Sequence, residues 1–174
     1  MGLAEAVEMA AEEARLSEDG VRLDQAVDPA DQILADPDQL HRILVNLMRN
    51  AREAIEQQPG REGRGRVRIE LAREDAVSLI RLIDDGPGVP DKVRERLFLP
   101  FAGSGRAGGT GLGLAIAREL AQGHGGDLVM AQSGPEGSTF ELRLPGAPTR
   151  APAKGRNAPK PKPRPRRKAP TGAS

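Results

Sequence analysis

The sequence predicts an α+β two-layer sandwich: one mixed β-sheet covered on one face by three main helices. Three observations carry the prediction. Apolar residues recur at helical spacing in three separate segments, near residues 3–16, 37–55 and 110–123. Segments of alternating polarity lie between and after them. The last two of these face each other across a Gly-Pro-Glu-Gly turn at 134–137, which closes the domain with a hairpin.

The elements follow in order. Leu3, Ala6, Val7, Ala10 and Ala14 form an apolar stripe among acids, an amphipathic helix broken at Asp19-Gly20. Residues 21–27 (VRLDQAV) alternate and predict a strand. The turn-rich run that follows leaves room for a short strand at Ile33-Leu34. Asp36 then caps a strong helix with Pro37 at its first position. Leu40, Ile43, Leu44, Leu47, Met48, Ala51 and Ile55 are its buried stripe, and Pro59-Gly60 end it. Residues 67–73 and 76–85 alternate on either side of Glu74-Asp75, an expected hairpin. A turn cluster, DGPGVP, precedes a short helix at 91–98. A Gly-rich loop at 99–109 then runs into a helix ending at Gly123, and strands at 127–133 and 138–145 complete the chain's ordered part.

Composition bounds the function. No apolar run approaches the ~20 residues of a membrane span. The acidic, helix-like N-terminus is neither a secretory signal nor a good acylation site. The absence of cysteine excludes disulfides and thiolate metal sites, and two distant histidines, His41 and His124, argue against zinc. A cytoplasmic protein is expected. The net charge of +1 hides an asymmetry: residues 146–174 carry nine Lys or Arg and no acid, leaving −8 on residues 1–145. Seven of the 15 prolines also fall in that tail, which has no large apolar residue. Residues 1–145 are therefore expected to be the domain, and 146–174 a disordered basic, Pro-rich tail.

Three stretches carry chemistry. Asn46 and Asn50, spaced i and i+4, put two amides on one face of the long helix. Their oxygens suit a hard cation such as Mg²⁺ that shares its shell with phosphates, although two polar residues on a wet helix face need no ligand. The apolar strand LIDDGPGVP ends in Asp84 and Asp85, followed by Gly86 and Gly88. A carboxylate at a buried strand end can accept from the exocyclic amine of a base, and glycines let backbone approach a flat ring. GGTGLGL at 108–114 sets four glycines at a helix start, where free N–H groups and the helix dipole favour phosphate. No phosphate-binding GxxxxGK[ST] occurs, and the GxGxxG at 103–108 lacks the strand before it and the acid after it that a dinucleotide fold needs.

Together these stretches resemble the ATP-binding catalytic domain of sensor histidine kinases. That domain belongs to the GHKL superfamily of DNA gyrase, the ninety-kilodalton heat-shock chaperone and MutL, whose architecture is the Bergerat fold. NLMRNA is similar to the N box, DDGPGVP to the G1 box, LFLPF to the F box and GGTGLGL to the G2 box, in the family's order across about residues 3–145. The resemblance implies ATP and Mg²⁺ as cofactors. It makes Asn50 the Mg²⁺ ligand and Asn46 a second metal or phosphate contact, both at the catalytic centre. It makes Asp84 the adenine acceptor beside Gly86 and Gly88, with Thr110 supporting it through a hydroxyl. It lines the phosphates with Gly109, Gly111, Leu112 and Gly113, with Arg106 or Arg52 as a further contact. Residues 91–108 become an ATP lid anchored by Phe98 and Phe101, and the glycines let a lid hinge and a phosphate pocket share one helix start.

Hydrolysing members of that superfamily commonly carry glutamate where this chain has Asn46, which cannot accept a proton from water. The resemblance is therefore to the kinase branch, in which the γ-phosphoryl passes to a histidine. No phosphoacceptor motif accompanies the domain: His41 and His124 are expected to be structural. The implied partners are a histidine-bearing helical domain, absent from this chain, and a downstream response regulator. Two alternatives stay open, a non-catalytic nucleotide-dependent interaction module and a serine-kinase or ATP-hydrolase relative. Nucleic acid binding is open only through the basic run PKPKPRPRRK, which has no aromatic residue for stacking.

Overall fold

The computed structural model describes residues 1–17, 20–61, 64–102 and 111–146. Gly109, Thr110, Arg106 and the basic tail beyond Gly146 lie outside the described residues. The order of elements is α1 (Leu3–Glu13), β1 (Val21–Ala26), α2 (Pro37–Glu56), β2 (Gly65–Glu74), β3 (Val77–Asp84), α3 (Asp91–Arg94), α4 (Gly113–Gly123), β4 (Asp127–Gly134) and β5 (Gly137–Pro145). The five strands form one mixed sheet in the order β1-β2-β3-β5-β4. β1 and β2 are parallel, joined through α2, and the remaining pairs are antiparallel. Helix α2 packs against both α1 and α4, and the three cover one face of the sheet.

The alternation read from the sequence decides which face they cover. Val67, Ile69, Ile80, Leu82, Leu128, Phe140, Leu142 and Leu144 point inward and are buried against α2's stripe. Every predicted stripe residue of α2 is buried, and Val45 joins them at 4% exposure. The opposite face is charged. Glu70, Arg81 and Glu141 stand side by side across three strands, and Glu141 accepts from Arg81 Nε at 2.9 Å and from Arg143 Nε at 2.8 Å. Such cross-strand pairs stabilise a sheet directly.

Helix ends follow local chemistry. Asp36 caps α2, its Oδ1 accepting the Gln39 amide at 2.9 Å. α4 closes in a Schellman turn: the Gly126 amide donates to the Ala121 carbonyl, with Gly125 at φ +75°. α1 closes in the same way, but with Arg15 at φ 58° in the left-handed position, so the helix stops at Glu13 rather than running to 16.

Three expectations need correction. No strand forms at 33–34. An isolated bridge joins Gly2 to Gln32, Ile33 plugs into the core at 2% exposure and Leu34 is left 67% exposed. The helix expected over 91–98 is only four residues long. Beyond Arg94 the amides of Arg96, Leu97 and Leu99 bond three residues back rather than four, and these tight turns swing Leu97 inward. The last main helix starts at Gly113, because Gly111 adopts φ +69° and cannot be helical.

Candidate functional site

One polar strip of α2 organises the site. Asn46, Asn50, Glu53 and Gln57 recur at intervals of four, three and four residues and line a cavity of about 920 Å³, with Arg49 and Arg52 on the same helix beside them. The facing wall comes from residues 87–91, Val93, Arg94 and Leu97. The N-terminus of α4 contributes Gly111, Gly113 and Leu114, and the β4–β5 turn contributes Gly134 and Pro135. The volume is that of a small-molecule site.

Asp84, the last residue of β3, and Asp85, just after it, do different things. Asp84 is 3% exposed, and its Oδ1 accepts the Gly86 amide at 2.9 Å. A Cβ on Gly86 would sit 2.9 Å from that same oxygen, so any larger residue there would have to push the carboxylate aside. Asp85 instead faces out. Its Oδ2 takes Arg61 Nη2 at 2.8 Å, its Oδ1 takes the Arg66 amide at 2.9 Å, and its carbonyl also accepts from Arg61. Asp84 and Gly86 sit behind the cavity rather than on its lining.

Gly88 forms the floor beside them. At φ +79° its hypothetical Cβ would fall 2.2 Å from the Gly134 carbonyl oxygen, so the loop after β3 lies against the β4–β5 turn without a side chain between. The Val89 amide donates to Ser133 Oγ at 2.7 Å, and Arg94 donates to the Val89 and Ser133 carbonyls, both at 3.1 Å. This wall is therefore bolted to the hairpin.

Across the cavity, α4 begins without a side-chain cap. Its first amides have no intrahelical partner, and they carry the positive end of the helix dipole. A Cβ on Gly113 would lie 3.3 Å from Asn46 Oδ1, so the helix start abuts the first asparagine. The Phe101 amide donates to the Gly111 carbonyl at 3.0 Å and ties Phe101 to the residues that lead into α4.

The predicted site residues thus divide. Asn46, Asn50, Gly88, Gly111 and Gly113 line one cavity, Asp84 and Gly86 lie just behind it, and Leu112 flanks α4's first turn. Gly109 and Thr110 fall outside the described residues. Phe98 is an anchor as expected: its ring meets Phe140 edge-on at 6.4 Å and carries the Arg118 guanidinium 5.0 Å above it. Phe101 is not one. Its backbone turns at φ 63° and its ring is 63% exposed, while Leu97 takes the second buried position. Arg52 is committed elsewhere, donating to the Ala14 carbonyl at 2.6 Å and pairing with Glu56. Arg49, Glu53 and Gln57 were not singled out from the sequence. The continuation of the Asn46–Asn50 spacing down the helix was the signal for the last two.

Both histidines are structural. The Asp36 amide donates to His124 Nε2 at 3.1 Å, so His124 carries its proton on Nδ1, which donates to the Leu120 carbonyl at 2.8 Å. It links the end of α4 to the cap of α2. His41 Nε2 meets Glu13 Oε2 at 2.7 Å. That hydrogen bond holds the Glu13 carboxyl below its ordinary pKa, with the charges of His41 and Arg49 adding to it.

A buried carboxylate at a strand end, a glycine-floored cavity and an uncapped helix start beside two asparagines define a nucleotide-binding class of α+β domain. The family model for histidine kinase-, DNA gyrase B-, and HSP90-like ATPases matches residues 35–148, and the chain belongs to that family. Within the family it is similar to sensor histidine kinases. It is 40% identical over 137 residues to the sensory histidine kinase/phosphatase NtrB of Escherichia coli O157:H7, spanning 73% of this chain and 38% of NtrB. It is 37% identical over 126 residues to the C4-dicarboxylate transport sensor protein DctB of Rhizobium meliloti, spanning 72% of this chain and 19% of DctB. The mycobacterial sensor histidine kinase MprB superposes with a TM-score of 0.69 at 29% identity, covering 85% of this chain and 98% of that one. The fold and motifs are those of the ATP-binding catalytic domain of such kinases. The chain spans well under half the length of the curated relatives it matches. Among the described residues no helix is long and apolar enough to cross a membrane.

Proposed function

We propose that the domain binds ATP with Mg²⁺ in the cavity beneath α4 and transfers the γ-phosphoryl group to a histidine on a partner helical domain, from which a response regulator takes it. The observation that supports this best is the convergence of Asn46, Asn50 and the uncapped start of α4 on one cavity. α4's free amides supply donors for phosphate oxygens, and Gly111 and Gly113 keep side chains out of their way. Asp84, held in place through Gly86, accepts from the adenine amine near Gly88, and the reading assigns the supporting hydroxyl to Thr110. Gly109 and Leu112 complete the phosphate loop.

The residues suit a magnesium ion that arrives with its phosphates. Among the described residues no three His, Cys, Asp or Glu side chains cluster to hold a metal. The amide oxygens of Asn50 and Asn46 are neutral donors, so the charge must come from the nucleotide. Bound there, the ion neutralises charge that builds on the phosphates during transfer. In the transfer the bond from the γ-phosphorus to the bridging oxygen breaks, a bond to the imidazole nitrogen forms and ADP leaves. Asn46 has no basic oxygen to activate water, which favours transfer over hydrolysis. The reading places the domain in the cytoplasm, where ATP is.

The test is calorimetric titration of the chain with a non-hydrolysable ATP analogue, with and without Mg²⁺. One magnesium-dependent site is expected. No heat at millimolar nucleotide would leave the domain as an interaction module and overturn the proposal.

A further inference from the structure

Among the described residues three arginines line the nucleotide cavity: Arg49, Arg52 and Arg94. Two are already committed to backbone carbonyls. Arg94 holds the Val89 and Ser133 carbonyls, and Arg52 holds the Ala14 carbonyl and pairs with Glu56. Arg49 is different. Among the described residues it has a single partner, Glu13 at the end of α1, at the long separation of 3.3 Å, and both side chains are about half exposed, at 46% and 52%. Glu13 in turn has a better partner on its other oxygen, His41 at 2.7 Å. Releasing Arg49 therefore leaves Glu13 hydrogen-bonded and strands no charge.

We infer that Arg49 is a phosphate-contact residue held in reserve by Glu13, so that nucleotide occupancy and the anchoring of α1's last turn compete for one guanidinium. The inference rests on the nucleotide reading of the cavity. Arg49 lies one residue before Asn50 and three after Asn46, beside the amides assigned to the metal and phosphates. A guanidinium there meets phosphate oxygens with forked N–H donors, a better match than one distant carboxylate oxygen. The exchange runs both ways by linkage: what frees Arg49 tightens nucleotide binding, and bound nucleotide loosens the end of α1.

A double-mutant cycle read by calorimetry tests this on the full chain, with the ATP analogue and Mg²⁺. Glu13→Gln keeps a side chain that can still hydrogen-bond His41 but gives up the charge. It should tighten nucleotide binding about threefold at low salt, the scale of an exposed ion pair, and less at high salt. Arg49→Gln should weaken binding, and in the Arg49→Gln background Glu13→Gln should change nothing. A second readout is amide exchange: nucleotide should speed exchange at residues 13–16 in the wild type and not in Arg49→Gln. If Glu13→Gln leaves the affinity unchanged, or shifts it equally in both backgrounds, the inference is wrong while the nucleotide site stands. If the wild-type chain binds no nucleotide, both fall.

Discussion

Asp84 and Asp85 are adjacent, but the first ends β3 with its carboxylate buried and the second, just past the strand, turns outward to Arg61 and the Arg66 amide. Asp84→Asn keeps an oxygen for the Gly86 amide, so the fold should survive while the acceptor for the adenine amine is weakened and misplaced. Asn50→Asp likewise keeps the helix but places a carboxylate against phosphate. Both variants should lose nucleotide binding by calorimetry with an unchanged circular dichroism spectrum. Asp85→Ala should do the reverse. It removes the acceptor from Arg61 and the Arg66 amide, lowering the unfolding free energy in urea by about 1 kcal/mol with little effect on affinity. Gly88→Ala combines a left-handed backbone with a Cβ driven into a carbonyl 2.2 Å away. It should cost at least about 2 kcal/mol, and its melting temperature should fall accordingly.

Among the elements, α2 carries both the core and the site. Its stripe of Leu40 to Ile55 faces the sheet, and its opposite strip of Asn46, Asn50, Glu53 and Gln57 faces the cavity. Asp36→Ala should cost about 1 kcal/mol through the lost cap, measurable as a shift of the urea midpoint. This helix was legible from sequence because its signals are local: a cap, a Pro at the first position, a regular stripe and a Pro-Gly stop. The end of α4 at Gly123 was legible for the same reason, whereas its start was read three residues early, because the left-handed turn at Gly111 is not visible in the sequence. The segment after β3 was not. Whether residues 91–98 continue as helix or tighten into turns depends on Leu97 reaching the core and Phe98 meeting Phe140, a contact across 42 positions of chain. Phe98 and Phe101 look alike in sequence, and what separates them is tertiary: Phe98 packs edge-on against Phe140, whereas Phe101 turns at φ 63° and is left 63% exposed. The role of Arg49 was hidden similarly, since Glu13 lies 36 residues away.

For the whole molecule, charge on the two faces sets the response to acid. Glu13 and Asp127 are held below their ordinary pKa values chiefly by hydrogen bonds from His41 and Arg118. Burial works against the Glu141 carboxylate, but Arg81 and Arg143 outweigh it and hold it low as well. All three are carboxylates depressed in the fold, so the unfolded chain binds more protons as pH falls. Their contribution is complete above the ordinary values of 4.5 and 3.8 and is lost as pH drops through the lower folded values. The melting temperature should therefore be flat from about pH 7 to 5 and fall below about pH 4. Glu141→Gln should lower it at neutral pH and flatten the acid limb.

Among the described residues the last strand in sequence is not the last in the sheet: β5 lies between β3 and β4. On a ribosome, β3 must wait with one edge bare, and β4 with no partner at all, until Pro145 has emerged. A reading frame interrupted before Gly137 would release a chain with one edge of β3 bare and β4 unpaired, a template for aggregation rather than a smaller working domain. Synthesis of this fold is all or nothing, and its final nine residues decide which.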